Sequence, residues 1–224
     1  ERNPLYTTTY GVGQMIVDAI HKGCRRFIMG IGGSATNDGG VGMLQALGYD
    51  FLDKDGNQIK HGAIGLKDLV QIKDDKAIPE LKDCEFHIAC DVTNPLCGEQ
   101  GCSVIFGPQK GATEQMIKDM DYWLADYAKI AKESFTKADA DKPGTGAAGG
   151  LGFAFLTFTN ATLKSGVDLI LHETKLEEEI KDADIVITGE GCLDAQTAMG
   201  KAPIGVAKLA KKYGLFVNLN QIYN

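Results

Sequence analysis

A glycine-rich stretch, residues 30–40, constrains the fold of this chain more than any other feature. It reads Gly-Ile-Gly-Gly-Ser-Ala-Thr-Asn-Asp-Gly-Gly and follows the apolar run Phe27-Ile28-Met29, which predicts a short buried strand. From Val41 onward the apolar residues have helical spacing. Glycines let backbone N–H groups approach a ligand, and a helix N-terminus offers unpaired donors. The stretch therefore predicts a strand-to-helix turn that can bind a phosphate or a carboxylate.

The turn does not match the two commonest phosphate-binding motifs. The chain has no Gly-x-x-x-x-Gly-Lys-Ser/Thr sequence, and Ala35 takes the last glycine position of Gly-x-Gly-x-x-Gly counted from Gly30. No acidic residue ends a second predicted strand at the distance that dinucleotide binding requires. These departures disfavour NAD. Ser34, Asn37 and Asp38 are also common helix caps, so a purely structural turn is the alternative.

Composition narrows the range of partners. The chain of 224 residues is 44% hydrophobic and 24% charged, which is typical of a globular protein with one large or two small domains. Its formal net charge of -7 disfavours nucleic-acid binding, because phosphate backbones are held by clusters of lysine and arginine. The sequence contains no signal peptide and no apolar run of membrane length. We therefore expect a cytoplasmic protein without a nucleic-acid or membrane partner.

Local patterns predict elements on both sides of the turn. Residues 85–90 form a predicted strand that delivers Asp91 and Asn94 at its carboxyl end, where open α/β proteins place ligand groups. The other predictions are a helix capped within 7–9, a hairpin over 49–60, a loop over 98–110, a helix from Thr113 and a buried strand over 167–171.

A second glycine cluster, residues 144–150, precedes an apolar run and repeats the loop-into-helix arrangement of the first. It predicts a second anion site that includes Gly149 and Gly150. Alternatively, the small residues only permit a close helix crossing.

Four blocks in chain order closely resemble the type I glycerate kinase family. The first is Gly32-Gly33-Ser34-Ala35-Thr36-Asn37-Asp38-Gly39-Gly40, with Met43-Leu44-Gln45-Ala46-Leu47-Gly48 behind it. The others are Cys90-Asp91-Val92-Thr93-Asn94-Pro95-Leu96, then Phe106-Gly107-Pro108-Gln109-Lys110-Gly111-Ala112-Thr113, then Gly189-Glu190-Gly191-Cys192-Leu193-Asp194-Ala195-Gln196-Thr197 with Gly200-Lys201-Ala202-Pro203. The resemblance runs from residue 1 to about Tyr213.

The resemblance implies an α/β fold of two domains, one inserted into a Rossmann-like other, with the active site in the cleft between them. On this basis residues 1–187 are the inserted α/β domain of a two-domain kinase, and residues 188–224 begin the return segment into the outer domain. The family has leading and trailing segments that these 224 residues lack. We therefore expect the isolated chain to be inactive and prone to self-association, which allows a homo-oligomer.

The implied activity is the ATP-dependent phosphorylation of D-glycerate to phosphoglycerate, with ATP and Mg²⁺. One alternative is a kinase for another small hydroxy acid, because the motifs fix the chemistry better than the acceptor. Another is a non-catalytic binding or structural module. Cys192 favours the second alternative, because the family usually has an arginine there that can hold a phosphate with two hydrogen bonds.

The resemblance also implies the site residues, which have the chemistry that a kinase requires. Asp194 is the predicted general base, and Asp38 and Lys201 complete the catalytic set. Asp38 and Glu190 are the predicted Mg²⁺ ligands. The residues predicted to bind substrate or phosphate are Gly32, Gly33, Ser34, Asn37, Asp91, Asn94, Gln109, Lys110, Gly149, Gly150 and Glu190.

Three of these residues have structural alternatives. Asp38 can serve only as the cap of the following helix, Asp91 can form only a turn with Asn94, and Lys201 can simply be solvated.

Overall fold

The computed structural model describes residues 3–191 and 201–221. The chain divides into two compact units, Glu1–Leu163 and Lys164–Asn224. Strands β6 (Ile185–Glu190) and β7 (Phe216–Gln221) of the second unit pair with each other in parallel. The domain boundary predicted between residues 187 and 188 falls inside β6, and the whole of this strand pairs with β7 in the same unit.

The first unit alternates helices and strands around one core. Its helices are α1 (Tyr10–His21), α2 (Val41–Ala46), α3 (Cys102–Phe106), α4 (Glu114–Ser134) and α5 (Ala147–Phe158). Its strands are β1 (Arg26–Gly30), β2 (Asp50–Leu52), β3 (Gln71–Lys73), β4 (Glu85–Ala89) and β5 (Ala161–Lys164), and three 3-10 turns cover Ala63–Asp68, Pro79–Asp83 and Pro108–Lys110. None of the helices in the described part of the chain is long and apolar enough to cross a membrane.

The central sheet has the order β1-β4-β5, and β1 and β4 are parallel. Their register pairs Gly30 with Ala89, so both strands end at the same edge. The glycine-rich turn and the segment that begins at Cys90 therefore leave the sheet side by side. The strand predicted at 27–29 is confirmed, but its predicted burial is wrong, since Ile28 is 49% exposed.

Helix α5 lies at the centre of the core because it is apolar on all sides. From Leu151 to Phe158 every residue of this helix is buried. Aromatic side chains from other elements pack against it, including Phe86 on Phe155 and Tyr127 on Phe153. The long helix α4, which begins after its cap Thr113 as predicted, contributes one buried face.

Two local predictions for the first unit need correction. Residues 98–110 were expected to form a loop but contain α3 and a 3-10 turn. The apolar pattern did not predict α3, because this helix buries Cys102 and Ser103 while its apolar residues Val104 and Ile105 are exposed. The hairpin over 49–60 is confirmed only as the single bridge between Leu52 and Gln58. Strand β2 pairs instead with β3, a strand that the pattern did not predict.

The second unit contains α6 (Gly166–Glu173), α7 (Leu176–Ile180), α8 (Ala202–Lys212) and the β6–β7 pair. Its core is formed by Ile180, Val186 and Ala210. The buried strand predicted over 167–171 is wrong, since this run lies in α6 and buries only Leu169. A short apolar run does not separate strand from helix, and here the Ser165 hydroxyl accepts the Asp168 N–H and caps a helix.

Candidate active site

A cavity of about 390 Å³ lies at the edge of the sheet where β1 and β4 end. This volume is within the range of about 300–1,000 Å³ that is usual for small-molecule sites. The cavity is lined by six residues that the sequence predicted to bind substrate or phosphate, namely Gly32, Gly33, Ser34, Asp91, Gln109 and Lys110. All six belong to the first unit. The parallel register of β1 and β4 brings the first two blocks of the sequence together, and the 3-10 turn Pro108–Lys110 adds the third.

The wall formed by the glycine-rich turn is open to a ligand. A Cβ atom added to Gly30, Gly32 or Gly33 would meet no atom within 4 Å. Gly33 also has a φ of +71°, a conformation that other residues rarely adopt. The backbone of this segment is therefore bare on the cavity side, as an anion site built on main-chain groups requires.

The cavity is also lined by a buried lysine. Lys110 is only 4% exposed, and its Nζ donates to the Thr36 carbonyl oxygen at 2.7 Å. Burial lowers the pKa of Lys110, while the charges of Cys102 and Asp38 oppose that shift. In the described part of the chain its ammonium bonds to no carboxylate. A buried cation beside an open cavity is costly unless an anion accompanies it, so Lys110 gives the cavity a preference for anionic ligands.

Asp38 does not line this cavity, although it follows the glycine-rich turn. Its carboxylate is fully buried, and Oδ2 accepts the Thr9 N–H at 2.8 Å and the Thr9 hydroxyl at 2.9 Å. The Thr8 hydroxyl and the Gly42 N–H donate at 3.3 Å each, and the Gly40 N–H donates to Oδ1 at 3.1 Å. Burial raises the pKa of the Asp38 carboxyl, and these hydrogen bonds oppose the rise. The contacts fit the structural alternative, in which Asp38 holds the N-termini of α1 and α2 together.

We expect Asp38→Ala to destabilise the protein by about 3 kcal/mol or more, because it leaves several buried N–H and O–H groups without an acceptor. Urea denaturation measures the free energy of unfolding. The matched control is Asp18→Ala, which removes an exposed carboxylate that pairs with Lys22 at 2.7 Å on α1. That loss should stay below about 1 kcal/mol. Equal effects of the two substitutions would contradict the anchoring role of Asp38.

Asn37 and Asn94 make contacts with other loops. The Asn37 side chain is buried, and its Nδ2 donates to the Ser103 hydroxyl at 2.8 Å, while its Oδ1 has no hydrogen-bond partner among the described residues. The Asn94 Nδ2 donates to the Gln100 carbonyl at 2.9 Å. Both side chains therefore fix the walls around the cavity, and neither lines it.

The profile of the glycerate kinase family matches residues 1–219 of the sequence, which is nearly the whole chain. The chain belongs to the glycerate kinase family. The chain is 51% identical over 215 residues to a glycerate kinase of Halalkalibacterium halodurans, covering 96% of this chain and 57% of that protein. It is also 51% identical over 213 residues to the glycerate 2-kinase of Escherichia coli K12, covering 95% and 56%.

A solved structure agrees with this family membership. The crystal structure of a Salmonella typhimurium LT2 protein assigned as glycerate kinase 2 superposes with a TM-score of 0.90 at 44% identity. The match covers 99% of this chain and 64% of that one. The chain thus spans a little over half the length of the curated relatives it matches.

The second glycine cluster of this glycerate kinase family member packs directly against the first. A Cβ on Gly149 would lie 2.0 Å from the Thr36 carbonyl oxygen, and one on Gly150 would lie 2.6 Å from Gly39 Cα. The Gly39 N–H also donates to the Gly149 carbonyl at 2.9 Å. Neither Gly149 nor Gly150 lines the cavity, so their contacts fit the alternative of close packing between backbones.

The remaining predicted site residues belong to the second unit. Lys201 Nζ and Glu190 Oε2 form an ion pair at 3.9 Å. Lys201 immediately precedes α8, and Glu190 ends β6. The predicted base Asp194 and the unusual Cys192 lie outside the described residues. Within the described ranges, no group of three or more His, Cys, Asp or Glu side chains could hold a metal ion.

Sequence reasoning missed two features of this region. The threonine run 7–9 was expected to cap α1, and Thr9 is its N-cap residue, but the Thr9 hydroxyl donates to Asp38 and accepts the Met43 N–H at 2.9 Å. Ala148 lines the cavity with a φ of 52°, although it is not a glycine. The threonine run at 7–9 could have indicated the hydrogen bonds of Thr9. Nothing in the local sequence predicts the left-handed conformation of Ala148.

Proposed function

We propose that the protein is a type I glycerate kinase that transfers a phosphoryl group from ATP to D-glycerate and forms phosphoglycerate. The observation that carries this proposal is the buried Lys110, which lines a cavity of about 390 Å³ together with the open glycine-rich turn. A carboxylate or a phosphate supplies the negative charge that such a lysine requires. Family membership supports the same activity.

In this proposal the residues of the cavity hold the acceptor and the phosphoryl group. Lys110 pairs with the anionic group, and Ser34 and Gln109 bind hydroxyl or phosphate oxygens. Asp91 follows β4 and orients a hydroxyl of the substrate. Asp194 stays the predicted general base, and Lys201 and Glu190 stay predicted members of the site. We further propose that the two compact units belong to the inserted and outer domains of a two-domain kinase.

Mg²⁺ is part of the proposal, but Asp38 does not fit as its ligand. Both oxygens of Asp38 accept hydrogen bonds from N–H or O–H groups, and a cation cannot lie where those hydrogens point. Bound together with the nucleotide, Mg²⁺ would instead supply positive charge to the phosphates. Of the predicted carboxylates described in the first unit, Asp91 is the one that lines the cavity and could contact it.

A panel of acceptors tests this function. This assay and the kinetic assays below use the full-length protein that contains these residues, because the isolated chain is expected to be inactive. ADP release is measured with D-glycerate, glycolate, L-lactate and tartronate at fixed MgATP, and D-glycerate is expected to give the highest kcat/KM. A higher kcat/KM with one of the other three would show that the substrate is another hydroxy acid. No turnover on any of them, together with binding of glycerate by calorimetry, would favour a non-catalytic module. In that case the Cys192→Arg variant tests whether the missing guanidinium is the cause of the lost turnover, since the substitution should then restore it.

The affinity for glycerate is expected to fall at alkaline pH. The pKa of Lys110 lies below its ordinary value of 10.5, and only the protonated ammonium attracts an anion. KM for glycerate should therefore rise as the pH increases through that lowered pKa. In the same window the unfolded chain binds more protons than the folded one, so stability should increase with pH. Lys110→Arg, which keeps its charge, should give a flatter KM profile up to pH 10.5.

The cytoplasmic location and the homo-oligomeric state stay predictions of the sequence. Size-exclusion chromatography with light scattering measures the second.

A further inference from the structure

We propose that a second cavity, which adjoins the first at the glycine-rich turn, binds the nucleobase of the phosphoryl donor. This cavity has a volume of about 270 Å³ and lies within the first unit. The proposal rests on the proposed function, because it assigns the position of one of the two substrates.

The two cavities share one wall. Gly30, Ile31, Gly32, Ser34 and Ala148 line both of them. Two of these residues, Gly30 and Gly32, are glycines whose missing Cβ atoms leave open space, so no side chain of theirs stands between the cavities. Phosphoryl transfer requires donor and acceptor atoms about 3–3.5 Å apart. Ligands in two adjoining cavities with Ser34 at their junction can meet this requirement.

The chemistry of the second cavity differs from that of the first. No charged side chain is among its lining residues, which are apolar or carry hydroxyl groups. Val12 and Leu151 contribute aliphatic surface, and Met15 and Met29 contribute thioethers, which make favourable contacts with aromatic rings. The first cavity, by contrast, has Lys110 and Asp91. The neutral aromatic part of a nucleotide therefore suits the second cavity, and its phosphates suit the wall toward Lys110.

The exposed side chain of Met15 supports the assignment of a nucleobase site. The side chain is 67% exposed on α1, although methionine is ordinarily buried. The residue lines the cavity, where a planar ring could cover its thioether. Thr8 and Thr36 add polar atoms from two different segments, and polar atoms of this kind can fix the orientation of a heterocyclic base.

The test compares two substitutions that add the same charge to neighbouring positions of α1. Met15→Glu places a carboxylate at the cavity, whereas Gln14→Glu places one on an exposed residue that does not line it. In steady-state assays Met15→Glu is expected to raise KM for ATP about tenfold or more and to leave KM for glycerate nearly unchanged. Gln14→Glu should change neither constant. Equal effects of the two substitutions on KM for ATP would overturn the proposal.

A binding measurement separates this proposal from the proposed function. Adenosine, which carries no phosphate, is titrated into protein labelled with ¹³C at the methionine methyl groups. The signals of Met15 and Met29 should shift, while that of Met120, buried in α4, should not. If glycerate is not phosphorylated but these shifts occur, the nucleobase site stands and the proposed function fails. Shifts confined to Met120, or no shift at saturating adenosine, would overturn the nucleobase site even in an active kinase.

Discussion

In the Lys110→Met variant, kcat/KM for D-glycerate is expected to fall between about 30-fold and several thousand-fold, while the protein stays folded. Removing one partner of a buried charge pair typically costs about 2–5 kcal/mol of binding free energy, and about 1.4 kcal/mol corresponds to a factor of ten. Methionine has nearly the length of lysine and no charge, so it fills the same space among the residues that bury Lys110. The ligand then meets an apolar side chain where its negative charge needs a cation.

Stability should move in the other direction or not at all. The substitution removes one hydrogen bond to the Thr36 carbonyl, but it also removes the cost of burying an ammonium group. The melting temperature is therefore expected to be unchanged or higher, as is common where a charged group serves binding rather than folding. Lys118→Met is the matched control, because Lys118 is exposed on α4. A Lys110→Met protein with normal kcat/KM would remove the observation on which the proposed function rests.

The position of the glycine-rich turn in the fold could be predicted from the sequence. Its position between a strand and a helix is confirmed, because β1 ends at Gly30 and α2 begins at Val41. Local signals sufficed there, since glycine clusters and apolar spacing act over a few residues. The same kind of signal failed at 167–171, where a run of apolar residues fits a strand and a helix equally well and the cap at Ser165 decided the outcome.

The roles of Asp38 and Lys110 depend on contacts that no local pattern contains. Asp38 accepts its two shortest hydrogen bonds from Thr9, which is 29 residues away, and Lys110 bonds to Thr36, which is 74 residues away. Such partners become neighbours only when the sheet and α5 are assembled. The sequence could therefore predict which residue types lie near the turn. It could not predict that Asp38 anchors two helices or that Lys110 is a buried charge beside a cavity.

The same assembly makes Gly149 the position where a single methyl group should do the most damage. Its φ is +68°, and a Cβ there would lie 2.0 Å from the Thr36 carbonyl oxygen and 2.7 Å from Asn37 Cα. Both atoms are backbone, so the neighbouring turn has to move. The left-handed conformation costs an alanine about 1–2 kcal/mol, and forcing a methyl group into a filled space adds about 1–3 kcal/mol. We expect Gly149→Ala to lower the free energy of unfolding by about 3–5 kcal/mol, measured by urea denaturation.

Gly23→Ala separates the two contributions, because Gly23 has a φ of +92° but no atom within 4 Å of an added Cβ. That variant should lose only the conformational part, about 1–2 kcal/mol. A shift of the turn at Thr36 also displaces the acceptor of Lys110, so glycerate binding should weaken in Gly149→Ala and stay normal in Gly23→Ala. If both variants lost the same stability and bound glycerate equally, the two glycine clusters would not be packed on each other, and the wall of the cavity would have to be supported in another way.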